Sequence, residues 1–576
     1  MLIGFCMKKI EKEILICALE NAVKFGGKAN VGAVIGKIIA SNPELKRKIK
    51  SISASAKKIV EEVNSLSLED QKKKLKKISP EKKREIKKKE REKRLPELKN
   101  AQKGKIIMRF EPSPSGPLHI GHAITIGLNI LYCKKYNGKL ILRIADTNPE
   151  NIDIESYRMI INDARWLNSA TDSVPMEIYF QSERLGIYYD YAEQLIALGK
   201  AYVCTCNPDE FRTLLFKGKA CPCRKLSKKE HLLRWDRMFV EYKPGEAVVR
   251  IKTDLKHKNP AIRDWAALRI CEKPHPRKKD ARVWPLMNFA VAIDDMLMGV
   301  THTIRGKDHQ DNAEKQAYIF RYFKKTPPIN LFIGRINFVD LELSASKTRK
   351  LIEYGEFDGW SDIRLPFLIA LRRRGYQAKA FLQLAESFGV SKHDKVVNAD
   401  EFYKILNAFN KDIVEPKANR YFFVPDPVLV KIENAPAKEV KIKLHPDFPK
   451  RGTRMFKTKE RFYLWKEDVK RIEEGKLYRL MDCLNFRKEG KRFIFDSEDY
   501  EKYKREGEAI FHWLPADEKQ LIKAELLMPD KTLIKGLGEK RLSEVNVGSV
   551  VQLERIGFSR LDSKQKNKVV FWFAHR

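Results

Sequence analysis

The chain has 576 residues, 43% hydrophobic and 33% charged, with 114 Lys+Arg against 76 Asp+Glu and a formal charge of +38. This apolar content excludes a wholly disordered chain, and at about 150 residues per domain the length gives roughly four domains. No run of 18 apolar residues is free of charge, which argues against a membrane span, and nine cysteines in a chain this long do not make a disulfide framework.

The start, Met1 to Met7, is too short an apolar run for a secretory signal, and Met7, followed by Lys8-Lys9, is an alternative initiator. The expected compartment is the cytoplasm, where thiols stay reduced and clustered cysteines hold metal. The cationic excess calls for an acidic partner. Nucleic acid is the leading candidate, and a highly charged solvated surface is the alternative.

Residues 1–65 alternate apolar and charged groups at helical spacing. Residues 66–104 are lysine-rich, with Lys72-Lys73-Lys74 and Lys87-Lys88-Lys89, punctuated by Pro80 and Pro96: an exposed helix, a linker, or a basic arm along RNA. At Lys105 the pattern changes. Ile106–Phe110 reads as a buried strand, Glu111–Pro117 as a loop, and His119–Tyr136 as a helix ended by Asn137-Gly138 in a left-handed cap. Lys139–Ile144 is the next strand, completing a unit long enough for a parallel crossover. Further on, Val248–Lys252, Val283–Ile293, Met296–Arg305 and Asn330–Asp340 read as strands, and Gln310–Phe323 reads as a helix. Residues 361–413 read as helical with breaks at Gly375 and Gly389. From Arg420, short strands such as Tyr421–Val424 and Val440–Leu444 alternate with turns, suggesting antiparallel β-barrels.

The segment Pro112-Ser113-Pro114-Ser115-Gly116-Pro117-Leu118-His119-Ile120-Gly121-His122 lies where an open α/β sheet binds nucleotides. Helix N-terminal amides attract phosphate there. His119 and His122 share one face of the first turn, so both imidazoles can donate to phosphate oxygens, and Gly121 leaves room for a flat base. There is no Gly-x-x-x-x-Gly-Lys-Ser/Thr, and no Gly-x-Gly-x-x-Gly follows this strand.

His119-Ile120-Gly121-His122 matches the HIGH signature of class I aminoacyl-tRNA synthetases, and Arg109–Gly116 resembles the glutamyl branch. Leu343–Lys350 is similar to the KMSKS loop in its Ser-x-Ser-Lys form, with Ser344 in place of the first lysine and Lys347 retained; a mobile ammonium there would pair with departing pyrophosphate. Gly299–His309 again resembles the archaeal-type glutamyl branch. The resemblance implies ATP (around Pro112, Ser113, Gly121 and Ser346) with Mg2+ as its counterion. It also implies a glutamate pocket in which Arg109 and Arg305 are the carboxylate candidates, with Asn288 alongside. Two positions depart from the family, which usually has an acidic residue at Ala145 and a Tyr at Met287. Neighbouring Asp146 faces the opposite side of a regular strand.

Cys204-Thr205-Cys206 and Cys221-Pro222-Cys223, fourteen residues apart, fit a closed tetrahedral and hence structural zinc site; four small buried thiols are the alternative. The family places an acceptor-end-binding insert here. At the C-terminus, Arg451-Gly452-Thr453-Arg454 offers basic forks for unpaired anticodon bases.

The expected fold class is α/β. Residues 1–100 form a basic helical N-terminal extension. A Rossmann-like catalytic domain spans 101–200 and 283–340 around a 201–282 insert. Residues 341–415 hold the KMSKS-like loop and a helical domain, and 416–576 form anticodon-binding β-barrels. The expected activity is that of an archaeal-type glutamyl enzyme acting on tRNA-Glu and also tRNA-Gln, with no membrane and no DNA partner. A glutaminyl enzyme and a non-catalytic tRNA-binding paralogue are the rivals.

Overall fold

The computed structural model describes residues 2–24, 27–41, 49–78 and 95–576. Contacts divide the chain into two compact units, Met1–Pro96 and Glu97–Arg576.

In the first unit, helices Leu2–Lys24, Val31–Ser41, Ile49–Asn64 and Leu68–Ile78 follow one another. Ile14, Ala18 and Ala22 recur every fourth residue, so one stripe of the first helix faces Val34 and Ile38 and Ile52, Ala56 and Val60, all buried. Gln71 is fully buried, and its amide donates to the Gly27 and Val63 carbonyls, tying the last helix to two turns. Lys72-Lys73-Lys74 lie on that last helix. Pro80 and Lys87-Lys88-Lys89 fall outside the described residues.

The second unit is built on a five-stranded parallel sheet: β1 (Ile107–Phe110), β2 (Lys139–Ile144) and β3 (Met176–Phe180), then, after an insertion, β8 (His302–Gly306) and β9 (Ile329–Ile333), in the order β3-β2-β1-β8-β9. The helix Ile120–Tyr136 makes the first crossover and stops at Asn137, whose left-handed backbone returns its N–H to the Cys133 and Lys134 carbonyls. The insertion carries a four-stranded antiparallel sheet of β4 (Ala201–Cys204), β5 (Val248–Ile251), β6 (Ala266–Ile270) and β7 (Val283–Pro285). Its Val203, Val249, Leu268 and Trp284 share one core with Tyr188, Phe289 and Ile319 of the helices that flank the parallel sheet.

Two expected strands are corrected. Of Val283–Ile293 only Val283–Pro285 is strand, and Met287–Leu297 is a buried helix. Of Met296–Arg305 only the end from His302 is strand. Asn330–Asp340 divides into β9 and β10 (Ile336–Phe338), the latter pairing with β11 (Lys395–Val397). Residues 361–413 hold helices Leu368–Arg374, Ala378–Phe388 and Ala399–Val414.

Beyond Arg420 the chain forms two seven-stranded sheets and a hairpin, Lys438–Lys443 with Thr453–Thr458. Most pairs are antiparallel, but Arg420-Tyr421 runs parallel to Gln552-Leu553, and Lys523–Leu527 runs parallel to Lys568–Trp572. Arg373 holds Asp562 through two 2.7 Å bonds, which locks the Leu368–Arg374 helix to the terminal sheet.

Fully buried His512 receives an N–H from Arg555 on Nδ1 (3.2 Å) while Nε2 donates to the Phe423 carbonyl (2.7 Å), an arrangement open only to the neutral ring. Burial, then Arg555, lowers its pKa from 6.5 to about 4. Below 6.5 the unfolded chain binds this proton and the folded chain does not, so stability is lost as pH falls toward 4. From pH 7 to pH 5 the loss should be about 2 kcal/mol from this one ring. The urea midpoint of the wild type should fall over that window and fall less in His512→Gln; identical profiles would remove His512 as the cause.

Candidate active site

β1 and β2 end side by side, with the Ala145 N–H bonded to the Pro112 carbonyl (2.9 Å), and the loop that follows β1 leads into the first signature. His119 is the N-cap of the Ile120–Tyr136 helix. Its Nδ1 accepts from the Gly121 and His122 amides (3.1 and 3.3 Å), while the His119 N–H points at His122 Nδ1 (3.5 Å). The two rings stack at 3.7 Å. With both Nδ1 atoms accepting, each ring carries its proton on Nε2. Burial lowers His122 to about 4, and burial together with His122 lowers His119 well below its ordinary value, so both stay neutral at pH 7.

This corrects two expectations about the turn. Two of the amides expected to bind phosphate are occupied by His119. The space left by Gly121 is filled by His119, since a Cβ there would lie 3.0 Å from its ring. What the turn offers is a pair of neutral Nε2–H donors. Backbone bonds from Ile120 to Pro366 and from Leu368 to Leu118 hold it in place.

The second signature begins the helix Ala345–Glu353, capped by Ser344, whose Oγ also meets Ser346 Oγ at 3.1 Å. Lys347 is exposed, and its Nζ rests on Glu342 at 2.9 Å. Arg349 donates to the Ser115 carbonyl, and a Cβ on Gly116 would come within 2.7 Å of Ala345, so the two signature loops are in contact.

Between the strand ends lies a cavity of about 550 Å³, lined among others by Arg109, Glu111, Ser113, His122, Ala145, Met287 and Arg305. Beneath it sits a charge network that sequence reasoning missed. Arg143 is fully buried and contacts Glu111 (2.9 Å), Asp295 (2.8 Å) and Asp294 (3.6 Å). Arg109 bonds Asp295 at 3.0 Å and Glu111 at 3.3 Å, and Arg184 bonds Asp294 at 2.7 Å. Burial alone would push Asp295 up, but Arg109 and Arg143 outweigh it and hold its pKa below the usual value. The available signal was Asp294-Asp295 inside the apolar run Val291–Met298, and an arginine inside Leu140–Ile144.

Arg305 is the least compensated member. Its Nη1 donates to Gln316 (2.8 Å) and its Nε to Thr303 (3.2 Å), but Nη2 is buried without a hydrogen-bond partner and stands 3.8 Å from Asp295. Burial, then the charge of Arg109, lowers it to about 10, still a cation at neutral pH. Asn288 accepts from Gln316 at 3.0 Å and so reaches the cavity through Gln316 and Arg305. Asp146 is fully buried, bonded to Tyr157 and Ser182, and does not line the cavity that Ala145 lines, which removes it as a stand-in for an acid at Ala145.

The four expected cysteines do meet. The sulfurs of Cys204, Cys206 and Cys221 lie within 4.8 Å of one another, with Cys204–Cys221 at 3.9 Å and Cys206–Cys223 at 3.6 Å. A tetrahedron with Zn–S bonds of about 2.3 Å has edges of about 3.8 Å, so the donor set fits zinc. At the C-terminal end Arg451 lies against Phe448 and holds the Pro416 carbonyl. Arg454 is corrected: it is 1% exposed, paired with buried Glu539 and stacked on Phe422, so it offers no fork to a base.

Among the described residues no helix is long and apolar enough to cross a membrane. The family described as tRNA synthetases class I (E and Q), catalytic domain, matches residues 105–415, and its two anticodon-binding domains match 418–502 and 510–562. Among similar curated proteins, the glutamate–tRNA ligases of Pyrococcus furiosus and Pyrococcus abyssi are each 46% identical over 99% of this chain and all of theirs. That of Methanothermobacter thermautotrophicus is 44% identical over 99% of this chain and its own full length. The signature turn, the paired loops and the cavity between them thus sit in a chain that belongs to the class I tRNA synthetases of the E and Q group.

Proposed function

We propose that the chain is a glutamate–tRNA ligase. The α-carboxylate of glutamate attacks the α-phosphorus of ATP, pyrophosphate leaves, and a ribose hydroxyl of the terminal adenosine of tRNA then takes the glutamyl group from the adenylate. No protein nucleophile takes part, so catalysis is positioning and charge stabilisation. The two Nε2–H groups of His119 and His122 donate to the phosphates without adding charge. Pro112, Ser113 and Ser346 surround the nucleotide, magnesium would neutralise its phosphates, and Lys347 leaves Glu342 to meet the departing pyrophosphate.

The observation that carries the choice of glutamate is the unpartnered Nη2 of Arg305. The buried cluster holds four guanidinia (Arg109, Arg143, Arg184, Arg305) against three carboxylates (Glu111, Asp294, Asp295), one positive charge in excess. Glutamate brings one net negative charge, and glutamine brings none. Leaving a buried cation uncompensated favours the acid by about 10²-fold or more. Pyrophosphate exchange with each standard amino acid and total tRNA tests this: glutamate should support it, and glutamine in its place would overturn the reading. Charging of purified tRNA-Glu and tRNA-Gln with glutamate should succeed for both, as the archaeal-type resemblance implies. Phe448 with Arg451 supplies a surface suited to stacking an unpaired base.

We also propose that Cys204, Cys206, Cys221 and Cys223 hold one structural zinc, supported by sulfur spacings close to a tetrahedral edge. About one zinc per chain should co-purify, Cys204→Ser should lower it, and tRNA charging should suffer more than amino-acid activation. Metal-free protein from a fresh, chelator-free isolation would count decisively against it.

A further inference from the structure

The substrate proposed above carries an α-ammonium as well as two carboxylates, and a cation that leaves water for a pocket lined by other cations needs an anion to meet it. Among the described residues that line the cavity there is one carboxylate, that of Glu111; the charged neighbours around it, Arg109, Arg269 and Arg305, are cations. Asp294 and Asp295 lie deeper, are fully or nearly fully buried, and are engaged by Arg143, Arg184, Arg109 and Tyr188. Asp146 is fully buried, is engaged by Tyr157 and Ser182, and does not line the cavity.

Glu111 has capacity left. Its Oε2 takes Arg143 at 2.9 Å and Arg109 at 3.3 Å, while Oε1 accepts one bond, from Gln181 Nε2 at 3.0 Å. A carboxylate oxygen accepts two, so Oε1 retains an unused lone pair on a side chain that faces the cavity. Arg143 and Gln181 fix the carboxylate from below, so little rotamer freedom remains to be lost when a ligand binds.

We propose that Glu111 is the residue that receives the α-ammonium of the amino-acid substrate, through Oε1. This assignment rests on the reading of the chain as a glutamate-activating enzyme. It gives the cavity two poles: Glu111 for the ammonium and Arg305 for the side-chain carboxylate. Arg305 Nη2 without a hydrogen-bond partner and Glu111 Oε1 with room for one more bond are the two loose ends of the same buried network.

Glutarate is the probe, because it has both carboxylates of glutamate and no ammonium. In wild-type enzyme glutamate should bind more tightly than glutarate. Glu111→Gln keeps the shape and the Gln181 contact but removes the charge. It should raise the KM for glutamate in pyrophosphate exchange about 10- to 100-fold, with the KM for ATP unchanged and with glutarate inhibition within about threefold of wild type. A residue that only supports Arg143 and Arg109 would weaken both ligands together. Glu111→Asp, which shortens the reach but keeps the charge, should fall between, and it carries the test if the glutamine variant fails to fold. Ala145 lines the same cavity on the neighbouring strand end, so Ala145→Asp placed in the Glu111→Gln background should recover part of the lost glutamate affinity. An unchanged glutamate KM in Glu111→Gln, or equal loss of glutamate and glutarate, overturns the assignment while leaving the functional reading standing. A wild-type enzyme that activates no glutamate overturns that reading, and this assignment with it.

Discussion

Replacing Lys347 by alanine should lower glutamate-dependent pyrophosphate exchange by about 10²-fold or more, the cost of a charge-assisted contact worth roughly 3 kcal/mol in the transition state. The fold should survive. The Lys347 side chain is 69% exposed, and its resting contact with Glu342 is an exposed ion pair of the kind worth about 0–1 kcal/mol. The helix that carries it is capped independently by Ser344 and stitched by Thr348. Such a weak resting pair is easily exchanged for phosphate oxygens, which suits a lysine that acts only as charge moves. Glu342→Gln should therefore change the rate by less than the lysine substitution does. Wild-type turnover in Lys347→Ala would remove the lysine from the chemistry. His119→Ala also removes the helix cap, so its effect mixes about 1 kcal/mol of local stability with the loss of a donor.

Arg143→Met should destabilise the second unit by about 3–5 kcal/mol, the largest stability effect expected of a single substitution here. The methionine roughly fills the volume but leaves Glu111, Asp294 and Asp295 facing one another without the cation between them. Burial works against the Arg143 charge, yet Glu111, Asp295 and Asp294 outweigh it and raise its pKa above the ordinary value. Arg143 helps hold the Asp295 pKa down, so removing it should let that pKa rise, and the variant should recover part of its loss at lower pH, where Asp295 protonates. Urea unfolding at pH 7.5 and pH 5.5 measures both effects. A midpoint within experimental scatter of wild type at both values would show that the three acids find compensation elsewhere.

The signature residues were legible because their chemistry is local. A turn between strand and helix, two histidines on its first face and a lysine on a capped loop need only near neighbours, and the structure places them there. The strand expected over Val283–Ile293 failed because a short run that is apolar but for Asn288 has no period that separates a buried strand from a buried helix. Arg454 failed for a different reason. Thr453–Thr458 alternates exposed and buried positions, and pairing with Lys438–Lys443 sets which set points inward; Arg454 falls on the inner set, where Glu539 waits from 85 residues away. The buried charge cluster was hidden likewise. Its members come from β1 and the loop after it, β2, the turn after β3, the Met287–Leu297 helix and β8, and no local pattern tells which charges share a cavity. The parallel pairing of Arg420-Tyr421 with Gln552-Leu553 likewise depends on a partner 132 residues away.

The sheet order has a consequence for how the protein is made. β1 and β8 pair at Met108–His302 and Arg109–Thr303, and Ile107 bonds Thr301 across 194 residues. Nothing of β8 exists when β1 leaves the ribosome. At about 5–20 residues per second, roughly 10–40 s pass before the two edges can meet. During that interval any half-sheet made by β1, β2 and β3 would have its inner edge unpaired, a surface prone to sticking to other chains. The antiparallel sheet of β4 to β7 closes with Pro285, before β8 is complete, so the inserted segment can fold while the halves of the catalytic sheet are still waiting for each other. Arg305 and the Met287–Leu297 acids arrive last. Until they do, Arg109 and Arg143 have no Asp294 or Asp295, and the cavity has no floor. Ribosome-bound chains stalled before residue 300 should therefore expose the β1 edge to chaperones or proteases, and chains extended past about residue 370, allowing for the tunnel, should not.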